Sequence, residues 1–234
     1  PPTELLDLQP LPPTALGEAA LVKLYNFKEF NPIQTQTFHE LFKTDRNSLI
    51  CAPSGSGKTT CAEFAIMRML STDPQGKCVY VAPKDEMVEE IYDTWKEKFG
   101  TILSSEQVVK LNGETSPDLK LLAEAKITIC TIRHWDALSR RSRQRKAIQS
   151  VTLFIVDQLH FLGGEDGPTM EIVISRMRYI GSQKHQREKK KMLRMIGLSA
   201  SIANAREVGE WMGVSSKSLF NFSPKVRPTP LEIY

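Results

Sequence analysis

The stretch Leu49-Ile50-Cys51-Ala52-Pro53-Ser54-Gly55-Ser56-Gly57-Lys58-Thr59-Thr60 decides the fold. Leu49 to Ala52 is a short apolar run with the character of a buried strand, and an amphipathic segment from Cys61 to Leu70 follows the turn. Strand, Gly/Ser-rich turn and helix in that order make a phosphate-binding loop, here with Ala52 where the first glycine usually stands. Gly55 and Gly57 let backbone N–H groups turn inward around an anion, and the helix N-terminus adds its dipole. Ser54, Ser56 and Thr60 belong to the same cradle. In this reading Lys58 reaches the β- and γ-phosphates of ATP or ADP, and the Thr59 hydroxyl is a Mg²⁺ ligand. The competing reading is a turn that merely joins strand to helix, and the order of all five features argues against it.

Working outward, five more short apolar runs recur along the chain: 78–82, 108–111, 127–130, 153–156 and 195–198. Amphipathic stretches lie between several of them, as in 86–99 and 171–179. Strands without polar alternation, separated by helical stretches, predict an α/β fold with a mostly parallel sheet and helices on both faces. Such folds bind ligands at the carboxyl ends of the strands. The expected organisation is an N-terminal approach segment (1–30), one compact domain (31–222) and an exit linker (223–234). The approach segment is Pro-rich and expected to be extended, and the exit carries three prolines.

Composition agrees with one folded domain. The chain has 234 residues, 41% hydrophobic and 25% charged, which excludes collagen-like, coiled-coil and disordered classes. No apolar run approaches the ~18 residues of a membrane span. The opening Pro1-Pro2-Thr3-Glu4 lacks a basic start before a greasy stretch, so the expected compartment is cytoplasmic or nuclear, with no membrane partner. Cys51, Cys61, Cys78 and Cys130 all lie in apolar stretches without metal-ligand spacing, and read as reduced core thiols. The net charge of +4 is too small to prove a polyanionic partner. Two basic clusters, 140–146 and 184–194, stand out. The first is either a contact for RNA phosphate or an acidic partner or a solvated helix face, and the second reads as an exposed loop.

A second Mg²⁺ contact needs a carboxylate at the end of another buried strand. Leu153-Phe154-Ile155-Val156 runs directly into Asp157, which takes that role beside a phosphate-binding loop and would otherwise read as a cap. The next residue is Gln158, where nucleotide hydrolases of this layout carry a glutamate that deprotonates water. An amide holds water but cannot accept its proton, and loss of a general base costs about 10²- to 10⁴-fold in rate. Binding is expected to survive and turnover to fail, unless another carboxylate such as Glu165 stands in.

These motifs together resemble the first RecA-like lobe of Ski-type superfamily-two RNA helicases, over nearly the whole chain. Phe30-Asn31-Pro32-Ile33-Gln34-Thr35-Gln36 resembles the segment whose glutamine reads the adenine edge, which implies that role for Gln34. Ser199-Ala200-Ser201 resembles the Ser-Ala-Thr motif that couples nucleotide state to strand movement, implicating Ser199 and Ser201. His160, in Asp157-Gln158-Leu159-His160, is implied to be a coupling residue. Ala82-Pro83-Lys84 and Gly113-Glu114 resemble segments that touch the RNA backbone.

The opening TELLDLQPLP, the run LSRRSRQRKAIQS and the closing VRPTPLEIY are similar to the two-cassette branch of the family that acts in pre-mRNA splicing, and to its C-terminal cassette. That resemblance implies a nuclear protein whose degenerate cassette regulates an active N-terminal cassette and docks splicing factors. For the whole protein it implies paired U4/U6 small nuclear RNAs as partners, and a second RecA-like lobe following the linker. Where active relatives read Thr-Pro-Glu-Lys-Trp-Asp, this chain has Thr131-Ile132-Arg133-His134-Trp135-Asp136. Change at a second motif fits natural degeneration better than a single trapping substitution at Gln158. A slow RNA-dependent ATPase and an interaction scaffold with incidental nucleotide binding are the competing functions.

Overall fold

The computed structural model describes residues 2–140, 146–188 and 192–227. Seven strands form one sheet in the order β3-β4-β2-β5-β6-β1-β7. They are β1 (Ser48–Cys51), β2 (Cys78–Ala82), β3 (Val108–Lys110), β4 (Ile127–Thr131), β5 (Leu153–Val156), β6 (Arg194–Ser199) and β7 (Leu219–Asn221). The ladders β6/β1/β7 and β3/β4/β2/β5 are all parallel. Every residue of β1, β2, β4, β5 and β6 is buried. Because successive side chains point to opposite faces, burial without alternation means that both faces are covered. This is the α/β architecture expected from the apolar runs.

The helices are α1 (Ala19–Val22), α2 (Pro32–Phe38), α3 (Lys58–Thr72), α4 (Asp85–Phe99), α5 (Thr115–Glu124), α6 (Ile132–Ser139), α7 (Lys146–Gln149), α8 (Gly167–Glu188) and α9 (Ala205–Met212). None is long and apolar enough to cross a membrane among the described residues. The chain divides into two compact units, one of Pro1–Arg68 with Ile196–Tyr234 and one of Met69–Met195.

In the first unit an aromatic cluster sets the position of α3. Phe64 stands edge-on to Phe30, with ring centroids 4.9 Å apart, and to Phe38 at 5.1 Å. Such pairs add about 0.5–1.5 kcal/mol each to the burial of their surfaces. Helix α2 starts with a capping box: the Asn31 side chain accepts from Gln34 N–H while Gln34 Oε1 accepts from Asn31 N–H. Glu40, 5% exposed, receives Arg46, Ser218 and Thr44.

In the second unit Trp95 on α4 lies edge-on to Tyr80 of β2 at 5.0 Å, and Trp135 on α6 packs against Phe154 of β5 at 5.7 Å. Asp136 ties α6 to α8 through Arg176 Nη1 at 2.8 Å, and accepts from Arg140 at 2.6 Å. The four cysteines are free and buried, as read from their neighbours. Burial pushes the Cys61 thiol up to about 11 and Cys51 up to about 12, which keeps both protonated.

Two expectations need correction. The approach segment is not simply extended: residues 13–16 form a 3₁₀ turn, α1 follows, and Leu16, Leu21 and Tyr25 are buried. Lys184 belongs to α8, which runs through Glu188, and Arg194 opens β6 at 6% exposure, so 184–194 is not one exposed loop. Lys189, Lys190 and Lys191 lie outside the described residues. In the other basic cluster Arg140 caps the end of α6 and Lys146 opens α7, while Arg141, Arg143 and Arg145 lie outside the described residues. Strand β7 was not foreseen, because three residues at a sheet edge after a 3₁₀ turn carry no readable period.

Candidate nucleotide-binding site

In the first unit, β1 ends at Cys51 and Ala52 N–H extends its ladder by donating to the Ser199 carbonyl at 3.0 Å. The chain then turns through 53–57 and enters α3 at Lys58. Gly55 and Gly57 have φ of +75° and +82°, the left-handed region that residues with a Cβ rarely adopt. At Gly57 space adds to strain, since a Cβ would collide with the Gln34 amide and sit 3.0 Å from Asn31 Nδ2. The Asn31 amide donates to the Ser56 carbonyl at 2.9 Å and Gln34 Nε2 to the Gly57 carbonyl at 3.3 Å. The cap of α2 is therefore also a brace for the glycine-rich loop.

Lys58 folds back over this loop. Its Nζ donates to the Ala52 and Pro53 carbonyls at 2.7 and 2.9 Å. Ser54 and Gly55 are exposed, and Thr59 and Thr60 are half-buried in the first turn of α3. Ser56 is fully buried, and its Oγ has no hydrogen-bond partner among the described residues. Left-handed glycines, a helix start, a lysine and an unpartnered buried hydroxyl are the fittings of an anion site, and they suit the phosphates of a nucleotide.

Gln34 is 7% exposed and its side chain is spent on the cap and on the loop backbone. Ser199 ends β6 opposite Cys51 and is buried, and its Oγ has no hydrogen-bond partner among the described residues. Ser201 donates to the Phe222 carbonyl at 2.6 Å. Asn221 pins the same motif, donating to Ile202 O at 2.8 Å and accepting from Ile202 N–H at 3.3 Å. The Ser-Ala-Ser segment is thus fastened to β7.

In the second unit, Asp157 follows β5 and its N–H donates to the Val81 carbonyl at 2.9 Å. Tyr80 donates its phenol to Asp157 Oδ2 at 2.5 Å, and Gln158 N–H donates to Oδ1 at 2.7 Å. Burial, and then the neighbouring carboxylate, push the Tyr80 phenol well above its ordinary range, so it remains a donor. Gln158 sits at φ +58° and ψ +41°, the one non-glycine residue with positive φ among the described residues. Left-handed backbone costs a residue with a Cβ about 1–2 kcal/mol. His160 lies in the 3₁₀ turn 159–163, its ring 4.6 Å from Phe161.

Glu165 is 89% exposed and pairs with Arg133 at 3.2 Å, beside Asp166 at 2.5 Å. The altered segment 131–136 keeps its helix start, since Thr131 Oγ1 accepts from His134 N–H at 3.2 Å and caps α6. Ile132 occupies the first helical position, where proline is also accepted.

Sequence reasoning missed Asn31, Asn221, Tyr80 and Arg227. Asn31 carried a readable signal, an Asn-Pro-x-Gln capping box. Tyr80 was hidden inside an apolar strand, and the contacts of Asn221 and Arg227 depend on the unforeseen β7.

A model of the DEAD/DEAH box helicase family matches residues 31–208. Over the whole chain, identity is 51% to the human "U5 small nuclear ribonucleoprotein 200 kDa helicase" and 53% to "DExH-box ATP-dependent RNA helicase DExH12" of Arabidopsis thaliana. It is 46% to human "Activating signal cointegrator 1 complex subunit 3". The chain spans 10–11% of the length of these relatives. The crystal structure of the DUF1998 helicase MrfA bound to DNA superposes with a TM-score of 0.69 at 21% identity, covering 91% of this chain and 30% of that one. That likeness is one of fold, and it identifies the sheet as RecA-like. With a family model spanning most of its length and relatives about half identical to it over all of its residues, the chain belongs to the DEAD/DEAH box helicases.

Proposed function

We propose that this chain is the nucleotide-holding first RecA-like lobe of a helicase cassette in a nuclear, spliceosomal two-cassette helicase, and that its own hydrolysis is impaired. The lobe proper is 31–222, with 223–234 leading toward a second lobe. The observation that carries the reading is Gln158, an amide directly after the carboxylate Asp157, in a chain whose phosphate-binding loop keeps two left-handed glycines, its lysine and its threonine. The comparisons support the helicase assignment and the splicing context through relatives that match the whole of this chain.

When bound, the nucleotide supplies the phosphates whose charge the loop is built to meet, and Mg²⁺ supplies a bridging cation. Lys58 would exchange its bonds to two loop carbonyls for phosphate oxygens, and the N–H groups of Gly55, Gly57, Lys58 and Thr59 would orient them. The oxygens of Thr59 and Asp157 are the hard ligands that Mg²⁺ prefers. Tyr80 holds the Asp157 carboxylate in one orientation. Gln158 orients water but takes no proton, and Glu165 is turned to Arg133 at the surface. Gln34 reads adenine by giving up part of its bonding to the loop. Ser199, Ser201 and His160 couple occupancy to strand movement, Ser201 through the Phe222 carbonyl. In the whole protein, the lobe's occupancy biases the active N-terminal cassette and its U4/U6 RNA, and its surface docks splicing factors.

The test is equilibrium binding of a fluorescent ATP analogue with Mg²⁺, with Lys58→Ala as control. Saturable binding lost in the control supports the reading. No binding by the unaltered chain would leave a scaffold in which the loop is a relic.

A further inference from the structure

The residue next to the phosphate-binding loop that no part of the reading above uses is Arg227. Its Nη2 lies 3.0 Å from where a Cβ on Gly55 would be, with Nε at 3.5 Å and Cζ at 3.6 Å, so the guanidinium lies against the turn with its nitrogens nearest. A side chain at 55 would push it away, which gives Gly55 a second reason beside its φ of +75°. The placement is anchored. Phe222 N–H donates to the Cys51 carbonyl at 2.8 Å, residues 224–226 form a 3₁₀ turn capped by Ser223, and Val226 packs on Ile33, Ala52 and Phe222.

The Nε–H of this arginine is buried and has no hydrogen-bond partner among the described residues. A buried donor left unmade costs about 1–3 kcal/mol, more when charged. The neighbouring Ser56 Oγ is in the same condition. Two such buried donors flank the glycine turn of the proposed phosphate site. The acceptor that satisfies both is an oxyanion, and the fork of Nε and Nη fits a phosphate through two parallel bonds.

We infer that Arg227 is a ligand of the nucleotide's phosphate chain, a second cation beside Lys58 delivered by the segment after β7. This rests on the proposal that the loop binds nucleotide. It makes the position of residues 223–227 dependent on occupancy, because the same arginine that meets the phosphate is fixed to β7 through Phe222 and Val226.

The experiment measures the Kd of a fluorescent ATP analogue with Mg²⁺, and competition by ADP and by adenosine, for the unaltered chain, Arg227→Ala and Arg227→Lys. Apo melting temperatures are recorded alongside. Arg227→Ala is expected to weaken ATP and ADP about tenfold to hundredfold, with adenosine unchanged and melting within a few degrees. Arg227→Lys, which keeps the charge and loses the fork, falls between. Equal ATP affinity in all three would overturn the inference and leave Arg227 a structural clamp. Tighter binding in Arg227→Ala would also overturn it and make the arginine a plug. Weakening of adenosine together with ATP would overturn it in favour of a contact to the base. Absence of binding in the unaltered chain would overturn the nucleotide reading itself, a failure distinct from the other three.

Discussion

In the proposed reading the loop 52–60 holds phosphate and the segment 157–160 serves hydrolysis, and the two differ in how completely they carry the residues for those tasks. The loop has its glycines at positive φ, its lysine seated on two carbonyls and a capping box bracing it from α2. The carboxylate segment keeps Asp157 and a strong donor to it, but carries an amide next to it on a left-handed backbone. An anion cradle is built mainly from backbone N–H groups and needs particular φ values, whereas proton transfer needs one particular side-chain group. A fold can therefore lose the second by a single substitution and retain the first. The altered segment 131–136 shows the same separation, since its cap and core residues persist while Arg133 brings new charge.

The largest expected effect is on the intact half. Lys58→Ala removes the charge that meets the phosphates and lowers nucleotide affinity about 100-fold, which a fluorescence titration reads directly. An unchanged Kd would erase the distinction between a working loop and a relic. Next comes the other half: Tyr80→Phe leaves Asp157 Oδ2 without its 2.5 Å donor and is expected to cost about 1.5 kcal/mol in urea unfolding at pH 7. A smaller effect, of opposite sign, is expected at Gln158→Gly, which relieves the left-handed backbone and gains about 0.5–1 kcal/mol. A loss of stability there would mean that the amide makes contacts worth more than the strain.

The finest comparison is between two buried carboxylates, one in each unit. Burial pushes Glu40 up, but hydrogen bonds from Arg46 and Ser218 and the Arg46 charge hold it below its ordinary range. Asp136 is likewise pushed up by burial and held low by Arg140 and Arg176. A depressed folded pKa stabilises fully above the unfolded value, about 4, and that stability is lost as pH falls through the folded one. In Arg46→Gln or Arg176→Met the carboxyl loses a partner and is less depressed, so stability at pH 7 falls and less of it is lost on going to acid. Unfolding midpoints between pH 3 and 7 check this, and an acid limb as steep as that of the unaltered chain would show that the arginines do not set these carboxyls.

Much of this was legible beforehand for a physical reason. Strands buried on both faces read as unbroken apolar runs, so β1, β2, β4 and β5 stood out. The loop was legible because each of its parts answers to a separate rule. The edge strand β7 was not, since Leu219–Asn221 is short and half-buried. The contacts hanging on that edge, from Asn221 and Arg227, were invisible with it. Tyr80 was read as one more apolar strand residue because its hydroxyl has meaning only once β2 pairs with β5 and Val81 stands beside Val156.

The most direct measurement follows the fate of bound ATP. The chain is loaded with ATP and Mg²⁺ at a protein concentration above Kd, then quenched over several hours, and the bound nucleotide is separated and identified. ATP should remain on the unaltered chain, with nothing retained by Lys58→Ala. Stoichiometric ADP appearing on the unaltered chain within minutes, and not on Lys58→Ala, would contradict a lobe that holds nucleotide without turning it over.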